Sequence, residues 1–263
     1  MWYYQSVRDD TELIDKLNLL AEKYPTRGFD DYFGKIRNEG LKWNRKRVLR
    51  VYRMLGMPMR RKRKRRLPSR IQQPLLTPPA LNHTWSMDFM SDALSYGRRI
   101  RILNIIDDYN REALAVEADF SFPGEKVVEV LNEVIFWRGK PQRIRVDNGP
   151  EFISKAFVRW CSRNKIEIVY IQPGKPMQNA YVERFNRLFR EDILDAYLFE
   201  NINQVKDLSA EWMEDYNTYH PHDALSKMSP WSYARSFFNG GTPIEKGQEQ
   251  EEEMSILALS EKG

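Results

Sequence analysis

Residues 143–187 set the tightest limits on what this chain can fold into. Arg143-Ile144-Arg145-Val146 alternates charged and apolar side chains, the period of a half-buried strand. Asn148-Gly149-Pro150 then breaks the pattern. Asp147 is therefore predicted at the carboxyl end of a strand, in an open crevice, and that end is where open α/β sheets bind ligands. Further on, Val182, Phe185, Phe189 and Ile193 recur at spacings of three and four, which makes one buried face of a helix. Asn179, Glu183, Asn186, Arg187 and Arg190 are predicted on its other side. A strand and a helix could thus bring Asp147 and Glu183 together, although 35 residues separate them. Two converging carboxylates repel, and one takes up a proton unless a cation intervenes. Mg²⁺ suits such a place, because it takes one or two protein carboxylates and leaves its other positions to water and phosphate oxygen. A third acid is available upstream: His83–Phe89 reads as another strand, with Asp88 on it.

The wording around these acids resembles a known family. Asp88, Asp147 and Glu183, the last two 35 residues apart, resemble the Asp-Asp-Glu core of retroviral integrases and bacterial insertion-sequence transposases. Val146-Asp147-Asn148-Gly149-Pro150-Glu151-Phe152, Gly174-Lys175-Pro176 and Asn179-Ala180-Tyr181-Val182-Glu183-Arg184-Phe185-Asn186 look like the second-frame (OrfB-type) transposases. The likeness runs from about Asn82 to Ala234. It implies a DNA transposase that cleaves and joins strands, with Asp88, Asp147 and Glu183 as catalytic acids holding two Mg²⁺ (or Mn²⁺) ions. It implies as partners the terminal inverted repeats of the element, target DNA, further copies of the chain and a first-frame (OrfA-type) DNA-binding product. It also implies a bacterial, cytoplasmic, nucleoid-associated protein.

Charge distribution says more than net charge. Over 263 residues, 42 Lys and Arg against 37 Asp and Glu leave only +5. Yet Leu41–Arg66 holds thirteen Lys or Arg and no acid, while Gly240–Gly263 holds six acids and two Lys. A basic block beside a near-neutral domain points to nucleic acid. The single cysteine, Cys161, cannot close an internal disulfide and is expected to be a small core residue, which fits a reducing compartment. Three scattered histidines with one cysteine cannot build a Cys/His zinc site. The start lacks a basic-then-apolar leader pattern, and no window holds ~18 uninterrupted apolar residues, so neither export nor a membrane span is expected.

In order, residues 9–24 read as a helix with Asp9 and Glu12 as a capping box and Pro25 at its end. Phe29, Tyr32, Phe33 and Ile36 predict a second helix closing near Gly40. Asn44 is expected to cap a third, with Val48, Val51, Tyr52 and Leu55 inward, Gly56 at the end, and Lys46, Arg50 and Arg53 on an outer face. Three short helices with a basic last one look like a helix-turn-helix DNA-binding module, although Asp30-Asp31 departs from the basic turn expected there. The alternative is a solvated helical hairpin. The acid-free composition of the third helix favours DNA. Arg60–Arg66 is seven Lys or Arg in a row, read as a tether that folds onto phosphates, and Pro68, Pro74, Pro78 and Pro79 mark a boundary.

The core then reads as strands at 85–90, 99–107 and 112–118, the last two joined through a turn at 108–111. A helix at 125–138, the strand to Asp147, a helix from about 154 to 164, a strand at 166–171 and the Glu183 helix follow. That order is expected of an α/β, ribonuclease-H-like mixed five-stranded sheet flanked by helices, preceded by a small all-α helix-turn-helix domain. The expected divisions are 1–58 for the helical domain, 59–80 for the linker, 81–238 for the catalytic core with its C-terminal helices, and 239–263 for an acidic disordered tail. Residues 202–219 are predicted helical, and His220 and His222 are expected to pack in a loop.

Each acid has a plainer alternative: Asp88 paired with an Arg, Asp147 starting its turn, Glu183 bridging Arg187. Asp108 is expected to serve the 108–111 turn, Glu151 to cap the next helix, and Asn148 to orient water or phosphate. Lys175 and Arg184 read as phosphate contacts or as surface charges. The competing functions are a nuclease of the same fold that cuts without joining, and a non-catalytic DNA-binding regulator. A tyrosine recombinase is disfavoured, since none of the three histidines begins a His-x-x-Arg signature.

Overall fold

The computed structural model describes residues 9–57, 77–172 and 176–238. Lys175, the 60–66 basic run and the 239–263 tail lie outside the described residues. Three helices come first: α1 (Thr11–Lys23), α2 (Phe29–Asn38) and α3 (Arg45–Met54). Asn44 caps α3 as expected, its side chain accepting from the Lys46 N–H at 2.8 Å. Gly40 and Gly56, with φ of 91° and 66°, close α2 and α3 in a conformation that favours glycine. The start of α1 differs from expectation. Asp9 accepts from the Thr11 N–H, no capping box forms, and the Asp10 carboxylate turns to Arg47 and Arg50 of α3.

The sheet follows, from β1 (Thr84–Ala93), β2 (Arg99–Asp107), β3 (Ala113–Asp119), β4 (Arg143–Val146) and β5 (Glu167–Tyr170), with α4 (Gly124–Arg138) before β4 and α5 (Lys155–Asn164) after it. Its order is β3-β2-β1-β4-β5. The first three strands form an antiparallel meander, and β4 and β5 join parallel to β1, which is the ribonuclease-H-like arrangement. The chain ends in α6 (Ala180–Phe189), a π-helical turn at Arg190–Leu194, α7 (Ile202–Tyr219) and α8 (Pro230–Phe238).

Strand alternation sends side chains to two separate cores. Trp85, Met87, Leu103, Ile105, Ile144 and Val146 face α4 and α5. Met90, Ile102, Ile106 and Val116 face the other way, into one apolar cluster shared by α6, α7 and α1–α3. The N-terminal helices therefore pack onto the core. Arg27 and Asp192, 7% and 4% exposed, make a two-pronged ion pair at 3.0 and 2.8 Å, and the Trp212 indole donates to the same carboxylate. Lys35 is buried against Asp215. Gly34 gives its missing Cβ volume to the ring of Pro221.

Candidate active site

Register places the first two acids. In the parallel β1–β4 ladder, Thr84, Trp85 and Ser86 oppose Arg143, Ile144 and Arg145. Two steps further, Asp147 falls level with Asp88 and on the same face of the sheet, the one that α6 covers. The longer β1 carries Asp88 in its middle, opposite Asn104 of β2. Asp147 follows the last residue of β4 and is exposed, as the alternation Arg143–Val146 predicts.

Helix α6 supplies the third acid. Val182, Phe185 and Phe189 are buried on its inner face, and Glu183 is exposed. One turn on from Glu183, Asn186 donates from its amide to Asp88 Oδ2 at 2.8 Å and accepts from the fully buried Asn104 amide at 2.7 Å. This pair of amides clamps α6 to the sheet at Asp88. Asn104 was not among the expected site residues. Its signal was a lone amide in the apolar run Ile102–Ile106.

Asp88 is half-buried, and its carboxyl is pushed up to about 6. Burial is the main cause, repulsion from Asp147 and from Glu183 adds to it, and the Phe89 N–H and the Asn186 amide oppose it. The three acids thus share one electrostatic environment. They do not form a closed cage: among the described residues no three His, Cys, Asp or Glu side chains are grouped to hold a single ion. Like charge explains the spread, and Asp88 and Asp147 turn to different donors. Asp147 Oδ1 accepts from the Gly149 N–H at 2.9 Å. A Cβ at Gly149 would lie 2.9 Å from Asp147 Oδ1 and 3.2 Å from Glu151 Oε2, so an alanine there would turn both carboxylates aside.

Several neighbours differ from expectation. Asp107, rather than Asp108, serves the turn, accepting from the Asn82 and Tyr109 N–H groups. Asp108 is fully buried and paired with Arg145 at 2.6 Å. Glu151 pairs with Arg101, whose guanidinium lies over Phe89, so it does not cap α5; Ser154 does. Asn148 donates to the Ile171 carbonyl. Asn179 is buried at the start of α6 and is not on its outer face. His220 and His222 pack against Tyr216 and each other as expected, and burial holds both imidazoles in the neutral form.

The expected DNA contacts are spread out. Lys46, Arg50 and Arg53 are all exposed on α3. The acids missing from that stretch come from elsewhere: Asp10 pairs with Arg47 and Arg50, and Asp30 with Arg45 at 2.7 Å. Arg184 is exposed on α6 beside Glu183. Among the described residues no helix is long and apolar enough to cross a membrane.

Known proteins resemble this chain in sequence. A family profile described as "Integrase core domain" matches residues 78–176, and a second with the same description matches 164–230. An uncharacterised 31.7 kDa protein of insertion element IS407 from Burkholderia multivorans is 37% identical, over 84% of this chain and 80% of its own. Transposase InsD of insertion element IS2 from Escherichia coli is 25% identical, over 86% of this chain and 79% of its own. Among solved structures, the HTLV-2 integrase catalytic core in complex with magnesium is 20% identical, over 58% of this chain and 96% of that one, with a TM-score of 0.47.

Proposed function

The chain belongs to the insertion-element transposases with an integrase core, and from that premise we propose that Asp88, Asp147 and Glu183 are the acids that carry its DNA strand cleavage and strand transfer. The observation behind this reading is Asp88 on β1 and Asp147 directly after the parallel neighbour β4, with Asp147 and Glu183 both near enough to repel the Asp88 carboxylate.

The donor set fits hard divalent cations: three carboxylates in one electrostatic environment, one held against ionisation by burial and by repulsion from the other two. When bound, two Mg²⁺ or Mn²⁺ ions supply Lewis acidity that activates the attacking hydroxyl and stabilises the leaving oxygen. The chain's own work is placement. Asn186 and Asn104 fix the Asp88 carboxylate on the sheet, the Asp147 turn presents its acid at the strand end, and α6, packed on β1 and β2, carries Glu183 near Asp88. Arg101 holds Glu151 aside, so a fourth carboxylate does not compete.

In the same reading, residues 1–58 form the DNA-binding unit, 59–80 a basic tether, 81–238 the catalytic core and 239–263 an acidic tail. Lys46 and Arg53 reach phosphate, joined by Lys175 and Arg184 near the reacting strand. The substrates are the terminal inverted repeats and target DNA, engaged by more than one copy of the chain, with a first-frame product as helper, inside a bacterial cell. The test is strand cleavage, and joining of a pre-cut end, in Mg²⁺ or Mn²⁺. Asp88→Asn, Asp147→Asn and Glu183→Gln should each abolish both steps while DNA binding persists; full activity in Asp147→Asn refutes the assignment. The open arrangement of the acids favours one rival, a regulator that binds DNA without cutting it. Failure of the wild-type chain to bind Mn²⁺ in calorimetry, with or without DNA, would support that rival.

A further inference from the structure

We propose that Arg111, Arg184 and His222 form a second, non-catalytic site that takes one phosphodiester group of bound DNA. The identity of the occupant rests on the DNA reading above; the site rests on its own geometry. A cavity of about 80 Å³ lies between α6, α7 and the β2–β3 turn, lined among others by these three residues and Tyr181. It is several times larger than the ~10–15 Å³ one water requires.

Two buried polar atoms on residues that line the cavity have no partner. Arg111 is 8% exposed, and its Nη1 makes no hydrogen bond. His222 is 7% exposed, and its Nε2 has no partner. Buried polar groups in folded proteins are nearly always satisfied, so two orphans on one cavity call for a ligand. Arg111 is held there deliberately by its surroundings. Its φ of 64° is unusual for a side chain with a Cβ, its N–H donates to the Asp107 carbonyl at 2.9 Å, and the Tyr216 hydroxyl donates to its carbonyl at 3.0 Å. Its guanidinium lies 3.4 Å from the centre of the Tyr181 ring.

Charge says which ligand. Among the residues that line the cavity the one acid is Asp223, at the rim, and it pairs with Lys227. Arg184 completes the mouth and has no ion partner among the described residues. Two guanidinium groups with no unpaired carboxylate in the lining favour an anion, and guanidinium matches phosphate in shape and hydrogen bonding. Glu183 and Arg184 are successive residues on α6, roughly 100° apart around the axis. A DNA strand reaching Glu183 would therefore pass its backbone beside the cavity.

The experiment uses the full chain in EDTA, with no divalent metal. Inorganic phosphate is compared with chloride at equal ionic strength by thermal denaturation, and binding to a labelled duplex is followed by anisotropy across a salt series. Phosphate should raise the melting temperature of the wild type above its value in chloride, and Arg184→Gln and His222→Phe should lose that increment. On DNA, Arg184→Gln should lower the slope of log affinity against log salt by about one. His222→Phe should weaken binding without changing that slope. No phosphate increment together with wild-type DNA behaviour in Arg184→Gln overturns the site. A phosphate increment with unchanged DNA binding in both variants assigns the cavity to a free anion and overturns the DNA occupant. A slope change in Arg184→Gln with neither a phosphate increment nor any effect of His222→Phe marks Arg184 as a surface charge and overturns the cavity. If His222→Phe does not fold, the two Arg184→Gln readouts decide. Since no metal is present, this outcome is independent of whether the three acids catalyse.

Discussion

Asp88→Asn should stabilise the metal-free protein. Raising the Asp88 carboxyl from an ordinary 3.8 to about 6 makes its ionisation in the folded chain less favourable by about 3 kcal/mol. Solvent reaching this half-buried group trims the effect to about 2–3 kcal/mol. The sign follows from proton counts. Between pH ~4 and ~6 the folded state holds more protons than the unfolded one, so wild-type stability falls as pH rises through that window and stays low above it. Asparagine carries no charge and can still accept from the Asn186 amide, so it escapes the penalty. Scanning calorimetry in EDTA at pH 8 should place the variant's midpoint above that of the wild type by roughly 4–12 °C, at ~2–4 °C per kcal/mol for a chain of this size. The gap should shrink as pH is lowered from 6 to 4. Adding Mn²⁺ at about a hundred times its dissociation constant should raise the wild type by ~2.7 kcal/mol and leave the variant largely unmoved. A variant no more stable than wild type at pH 8, or a gap independent of pH, would refute the electrostatic account of the site.

Arg27→Ala leaves Asp192 buried without its cation and should cost about 3–5 kcal/mol in denaturant unfolding. Gly34→Ala drives a methyl group to 2.5 Å from Pro221 Cγ, so α2 must shift; a loss of about 1–3 kcal/mol is expected by the same measurement. His220 is buried and held neutral, so wild-type stability should be lost as pH falls below ~6.5, where the unfolded chain gains protons that the folded chain refuses. His220→Phe should flatten that acid limb, read as a smaller fall in melting temperature between pH 7 and 5. Asp10→Ala releases Arg47 and Arg50, so duplex affinity should rise and its salt slope should steepen by up to about two, measured by anisotropy; an unchanged slope would remove α3 from the DNA contact surface.

The strands and helices were legible because their patterns are local. Arg143–Val146 alternates, Val182, Phe185 and Phe189 recur at helical spacing, and Asn44 and Gly56 punctuate α3, so each element could be drawn from its own residues. The placement of Asp88 and Asp147 was legible for the same reason, since each sits at a fixed position on a strand. The partners of buried charges were not. Whether Asp108 served its own turn or met Arg145 from β4, 37 residues away, depends on the sheet order, which no local pattern states. Likewise Asp10 lies in the sequence among residues of α1, and its neutralisation of Arg47 and Arg50 exists only because α1 packs on α3. The acid-free look of Leu41–Arg66 therefore overstated how much free positive charge α3 presents.

The face that carries Asp88 and Asp147 has the same limit. A sequence can say that three acids lie on elements able to meet, but how closely they meet depends on the balance between packing and repulsion. Here packing fixes the carriers firmly: β1 and β4 are laddered, and Asn186 ties α6 to Asp88 and Asn104. Repulsion acts on the side-chain tips, and each tip finds a separate donor, the Asn186 amide for Asp88 and the Gly149 N–H for Asp147. Both hydrogen bonds are of ordinary strength, about 1–3 kcal/mol even with a charged acceptor. Cation binding at these two tips therefore has only bonds of that size to outweigh. A rigid backbone frame with separately tethered carboxylates is the arrangement expected where cation and DNA complete the site together.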